Sequence, residues 1–163
     1  MVVLGLDPGL ATVGYGVIET ENTEFSVIDY GAIITPKEES IAVRLAMIDE
    51  ATCKLIEKFK PDAVAVEELF FNTNVTTGIK VAMARGVLLV AAVKNCPNLF
   101  EYTPLQVKQA MVGYGRADKK QVQEMVRILL KLKSVPRPDD AADALAIALT
   151  HIQTGRLAET FRV

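Results

Sequence analysis

Acidic residues stand where apolar segments stop. Asp7 closes MVVLGLD, Glu67 and Glu68 close DAVAVEE, and Asp139, Asp140 and Asp143 open PDDAADALAIA. One acid at a helix start needs no special chemistry, since it caps free N–H groups and suits the positive end of the dipole. Pro138 fits the same helix start. Asp143, however, lies beyond the first turn and shares a helix face with Asp140, three residues earlier, with Cβ atoms ~5–6 Å apart. Like charges so placed repel, and a cluster of acids cannot stay both ionised and dry. Either some protonate or divalent cations neutralise them. Oxygen-only donors suit hard cations such as Mg²⁺ or Mn²⁺. Magnesium takes few protein carboxylates, so four acids suit two ions, the arrangement used for in-line displacement at phosphorus. Taken singly, each acid has a plainer reading: Asp7 before Pro-Gly as a turn residue, Glu67 and Glu68 as solvated strand-end residues, Asp139 as the helix cap.

The metal reading needs elements that bring these segments together. The run ending at Asp7 reads as a buried strand stopped by Pro8-Gly9. TVGYGVIET and FSVIDYGAIIT read as two further strands, with Gly9, Gly14, Gly16 and Gly31 fitting tight turns and close strand packing. From Ser40, a plausible N-cap, to Lys60 the apolar residues recur at helical spacing. DAVAVEE reads as a fourth strand, NVTTGIKVAMARGVLLVAAVKN as a long helix apolar on more than one face, and LFEYT as a fifth strand. TPLQVKQAMVGYG is a short helix, ADKKQVQEMVRILLKL an amphipathic one with a basic outer side, and PDDAADALAIALTHIQTG the last, stopped at Gly155. Three successive strands followed by alternating helices and strands predict an α/β fold. Its five-stranded mixed sheet has an antiparallel first three strands, a fourth and fifth parallel to the first, and helices on both faces. Sites in such sheets form beyond the carboxyl ends of the parallel strands. There Asp7 and one of the two glutamates would stand side by side, and the last helix would add Asp140 and Asp143.

The chain of 163 residues is half apolar and 23% charged, and reads as one domain spanning 1–163. No charged n-region precedes an apolar stretch and no run is long enough to span a bilayer, so no membrane association is expected. Cys53 and Cys96 are far apart without CxxC spacing and read as thiols in a reducing cytoplasm. The single histidine, His151, excludes chemistry needing several imidazoles and reads as a solvated residue of the last helix. The net charge of −2 hides an asymmetry: residues 1–62 carry a balance of −6 and residues 100–137 one of +5. Such a division marks either an anionic partner on one side or a solvated helix.

The ordered segments LGLDPG, GYGVI, AVEELFFN, ARGV, QVKQAMVGYGRADKKQV and DDAADALAIALTH resemble the RuvC family of bacterial Holliday-junction resolvases over nearly the whole chain. The resemblance implies an RNase H-like fold and a homodimeric endonuclease. Such an enzyme nicks two opposed strands of a four-way DNA junction symmetrically, leaving 5′-phosphate and 3′-hydroxyl ends. It places the family's four catalytic, metal-binding acids on Asp7, Glu67, Asp140 and Asp143. It implies Mg²⁺, two per site, with Mn²⁺ as a substitute. Some members carry histidine where Asp140 stands, which bears on metal preference.

The resemblance further gives Phe70 a stacking role on an unpaired base; the plainer reading is a core aromatic, which strand alternation assigns to Phe71 next door. Lys108 and Lys119 match lysines near the scissile phosphates, and Lys120 and Arg116 add backbone contacts, which position DNA without reading its sequence. It implies a branch-migration motor complex, RuvA and RuvB, as partner. A two-fold protein matches a two-fold substrate, and the helix from Asn74 to Asn95, too apolar for a fully wet outer face, is the expected dimer interface; the alternative for the same apolar faces is a core helix buried within one subunit. Three rival readings remain. A non-cutting junction-binding module predicts loss of an acid. An RNase H-like RNA-processing nuclease shares the acids but not the QVKQAMVGYGRADKKQV segment. Half of an actin-like ATPase predicts a second, duplicated domain.

Overall fold

The computed structural model describes residues 1–22, 24–69, 75–155 and 160–163, and for 75–77 the backbone only. In chain order the elements are β1 (Val2–Asp7), β2 (Thr12–Glu21), β3 (Glu24–Ile34), α1 (Ile41–Phe59), β4 (Ala63–Glu67) and α2 (Val75–Asn95). These are followed by β5 (Leu99–Tyr102), α3 (Pro104–Val112), α4 (Lys119–Leu129) and α5 (Asp139–Thr154). The strands form one sheet in the order β3-β2-β1-β4-β5. β1–β2 and β2–β3 are antiparallel, while β1–β4 and β4–β5 are parallel. This is the expected RNase H-like arrangement.

Strand alternation divides the core in two. Leu4, Leu6, Val64, Val66 and Leu99 face one side and pack against Ile48 and Ile56 of α1 and Ala84, Leu88 and Ala92 of α2. Val3, Ala63, Ala65, Phe100 and Tyr102 face the other and meet α3, α4 and α5 through Val107, Met111, Val122, Val126 and Leu145. By the same parity Asp7 and Glu67 belong to the α5 side.

Local sequence sets the helix ends. Ser40 caps α1 by accepting from the Val43 N–H. Thr103 and Asp118 each begin a capping box, with Gln106 and Gln121 reaching back, so Lys119 becomes the first helical residue of α4. Gly113 ends α3 in the left-handed region, at φ 84°.

α5 runs through the middle of its layer, buried from Ala141 to His151 except at Asp143. Its small side chains let it lie directly on the strands. A Cβ at Gly5 would strike the Ala144 carbonyl oxygen, and one at Gly14 the Asp140 carbonyl oxygen.

Two expectations are corrected. His151 is buried rather than solvated, with Nδ1 2.8 Å from the Tyr102 hydroxyl and its ring against Phe100. An imidazole with an aromatic shelf and a hydroxyl partner does not need water. Asp139 is not the cap: Pro138 holds that position with no side-chain bond, and Asp139 pairs with Arg137. Both cysteines are free, Cys96 buried and Cys53 half-buried. Among the described residues no helix is long and apolar enough to cross a membrane.

Candidate active site

Asp7 and Glu67 are the last residues of adjacent parallel strands, one step beyond the Leu6–Val66 register pair. They therefore leave the same edge of the sheet on the same face. Asp7 is in register with Gly14 of β2. With no side chain, Gly14 admits the α5 backbone at Asp140, which brings the first turns of that helix over the strand ends. Asp140 and Asp143 thus reach the edge that carries Asp7 and Glu67.

The electrostatics show that the four acids share one field. Burial pushes the Asp7 carboxyl well above its usual range, and the charges of Glu67, Asp143 and Asp140 add to the effect. Burial pushes Glu67 up to about 7, with Asp143 adding and Lys119 and Lys108 opposing. Asp143 is raised chiefly by burial, and a bond from Lys119 only partly offsets this. Buried carboxylates held together without enough positive charge resist ionisation.

The cluster also contains a base. Lys119 Nζ lies 2.7 Å from Asp143 Oδ2. Burial works to depress this ammonium, but the Asp143 bond and the Asp143, Asp139 and Asp7 charges hold it above its usual value. Glu67, Asp143, Lys108 and Lys119 line a cleft of about 180 Å³ whose walls include Val107 and Val122. Arg116 and Lys120 are exposed on either side of Lys119 in sequence. Phe70 and Phe71 lie outside the described residues.

As a donor set the acids fit a hard divalent cation, being all oxygen and under mutual repulsion. Among the described residues no three acidic, histidine or cysteine side chains converge closely enough, as they stand, to hold an ion. Asp143 is engaged by Lys119 instead.

One ionic feature near the site was not anticipated. Arg85 of α2 pairs with Glu101 of β5, both largely covered. The available signal was a charged residue inside LFEYT, the segment read as the fifth strand.

The comparisons with known proteins agree with this geometry. A family model described as Crossover junction endodeoxyribonuclease RuvC matches residues 3–151. A relative of that name from Alkaliphilus oremlandii is 53% identical over 163 residues, covering 100% of this chain and 99% of the relative. The structure described as Thermus thermophilus RuvC superposes with a TM-score of 0.91 at 39% identity, covering both chains completely. The T. thermophilus RuvC structure in complex with Holliday junction substrate gives a TM-score of 0.92 at 39% identity, covering 100% of this chain and 99% of that one. Carboxylates from three remote segments, an RNase H-like sheet and full-length similarity all lead to one conclusion: the chain belongs to the RuvC family of crossover junction endodeoxyribonucleases.

Proposed function

We propose that this chain resolves four-way DNA junctions by cutting two opposed strands, with Asp7, Glu67, Asp140 and Asp143 as the catalytic acids. The observation that carries the reading is their shared field at one sheet edge, where burial and mutual repulsion raise Asp7, Glu67 and Asp143 together. Such a cluster favours a divalent cation over solvent. These four acids would hold magnesium, two ions per site with manganese as a substitute. When bound, the cations supply activation of the attacking water and neutralisation at the leaving oxygen.

The remaining residues receive roles from their positions. Lys108 and Lys119, in the same cleft as Glu67 and Asp143, set positive charge where a scissile phosphate would lie. Arg116 and Lys120 extend this basic margin along the DNA backbone. Phe70 would stack on an unpaired base at the crossover, a contact worth ~1–3 kcal/mol.

Two coordinated cuts call for two sites, and α2 offers the surface that would join them. Ile79, Met83, Val90 and Val93 are exposed on it. With Gly86 they follow alternating steps of four and three residues, the spacing of a helix–helix seam. The seam borders a groove against Leu45 and Ala46 of α1. A second copy of the chain is the proposed occupant, in a homodimer acting in the cytoplasm with the RuvA and RuvB branch-migration motor.

The test uses synthetic four-way junctions, linear duplex and an RNA–DNA hybrid, with and without Mg²⁺. Paired nicks on the junction alone, only with metal, are expected. Cutting of the hybrid would favour an RNA-processing nuclease, and binding without cutting a junction-holding module.

A further inference from the structure

Arg85 sits among apolar neighbours. On the sheet side of α2, Ala84, Leu88, Ala91 and Ala92 are fully buried, yet Arg85 pairs with Glu101, each side chain only 20% exposed. Desolvating two such ions costs several kcal/mol each, and a well-packed apolar pair is often as stable or more so. The Arg85 Nε and the Glu101 Oε1 are moreover both buried without a well-formed hydrogen bond among the described residues, so the pair is held by charge rather than by satisfied donors and acceptors. Stability alone does not account for this pair.

Its place in the sheet supplies another reason. Glu101 is in register with Val66, facing α2; one residue on, Tyr102 is in register with Glu67, facing α5. Arg85 therefore grips the sheet from directly behind the strand pair that carries Glu67. The two strands are tied at this point by the Glu68 N–H, which donates to the Tyr102 carbonyl at 2.9 Å. The Glu68 carboxylate also acts on Arg85, opposing the depression that burial causes in the guanidinium. A single cation thus draws on charge from the ends of both strands, β5 through Glu101 and β4 through Glu68. It belongs to the helix whose exposed seam passes through the next residue, Gly86.

We propose that Arg85 is a positioning residue: paired with Glu101 directly behind the β4–β5 register that carries Glu67, it pins the ends of the two strands so that Glu67 stays aimed at Asp7 and Asp143. The role rests on those acids being the catalytic cluster. It acts through the sheet and touches neither DNA nor metal. A small tilt of Glu67 is costly because misplacement by ~1 Å can reduce a rate about a hundredfold.

The experiment compares wild type, the apolar pair Arg85→Met with Glu101→Met, and Arg85→Lys. Each is measured for Tm, junction affinity without divalent cation, and single-turnover cutting across a Mg²⁺ titration. The double variant is expected to keep the Tm and affinity of wild type. Its cutting rate is expected to fall by about tenfold or more, with more Mg²⁺ needed for half-maximal rate. Arg85→Lys, which keeps the charge but loses the planar fork, should fall in between. A folded double variant that cuts at the wild-type rate with unchanged Mg²⁺ dependence would overturn the role. Should the double variant not fold, wild-type cutting by Arg85→Lys overturns it equally. A wild type that fails to cut junctions would overturn both this role and the function on which it rests.

Discussion

Lys119 Nζ stands 2.7 Å from Asp143 Oδ2, so the acid cluster carries an internal cation in the position of a counter-ion. A divalent cation that draws Asp143 toward Asp7 and Glu67 competes with that ammonium. Lys119→Met is therefore expected to bind Mg²⁺ more tightly than wild type, measured by calorimetry or by the Mg²⁺-induced rise in Tm. The same variant should cut junctions more slowly, since the cleft loses a charge where the scissile phosphate is proposed to lie. Weaker Mg²⁺ binding by this variant would mean that Lys119 supports the cation site instead of competing for it.

The raised acids make stability depend on pH in a defined direction. Glu67 has an ordinary value of 4.5 and titrates at about 7 in the folded chain. Between those values the folded state holds a proton that the unfolded state has released. The contribution is thus complete below 4.5 and is lost as pH rises through 7. Asp7 and Asp143 shift in the same direction. Without divalent cation, Tm should fall between pH 5 and pH 8 by an amount on the order of 3 kcal/mol in stability. Mg²⁺ should flatten the fall, and Asp7→Asn should reduce it. A metal-free Tm that climbs over this range would contradict the assignment.

Asp7→Asn also separates cutting from holding. The Asp7 carboxyl is mostly buried among other acids, whereas Arg116 and Lys120 are exposed to solvent. Cutting is expected to stop, while junction affinity without metal stays close to wild type and falls steeply with added salt, as phosphate contacts require. Loss of metal-free binding in this variant would show that Asp7 supports the DNA-holding surface.

How far the sequence reveals this site depends on the length scale of the signal. The strand and helix pattern was legible because apolar runs, caps and glycine stops are local. Ser40 and Gly113 mark helix ends as expected. The convergence of the acids followed from one topological rule about parallel strand ends. The Lys119–Asp143 bond did not, because it spans 24 residues of sequence and depends on how α4 leans on α5. His151 was misread for the same reason. Its hydroxyl partner, Tyr102, is 49 residues away, and nothing beside it in sequence announces a buried imidazole. Gly14 was legible as a site of close packing, but its particular neighbour, the Asp140 carbonyl, was not.

That neighbour supports a packing prediction. A methyl group at Gly14 would collide with the Asp140 backbone, which belongs to a helix buried along most of its length. Relief requires α5 to lift over its first two turns, where Asp140 and Asp143 leave it. Gly14→Ala should cost about 1–3 kcal/mol in stability and reduce cutting by more than the lost folded fraction explains. A folded Gly14→Ala enzyme with a full cutting rate would show that the acids tolerate displacement of α5.

Gly86 gives the opposite case and a direct test of the proposed dimer seam. It lies inside α2, where glycine costs about 1 kcal/mol relative to alanine, and a Cβ built there meets nothing within 4 Å among the described residues. None of the described residues of the subunit requires glycine at this position. On helix propensity alone, Gly86→Ala should raise the stability of an isolated subunit. If two α2 helices cross at this residue, the added methyl groups push the backbones apart, and the dimer weakens even as each subunit gains. Sedimentation equilibrium should then show a raised dissociation constant, and a supercoiled cruciform plasmid should yield more nicked circles and fewer linear molecules. Met83→Glu, placing charge on the same seam, should drive dissociation further. A Gly86→Ala protein whose subunits associate as tightly as wild type would place the subunit contact elsewhere on the surface.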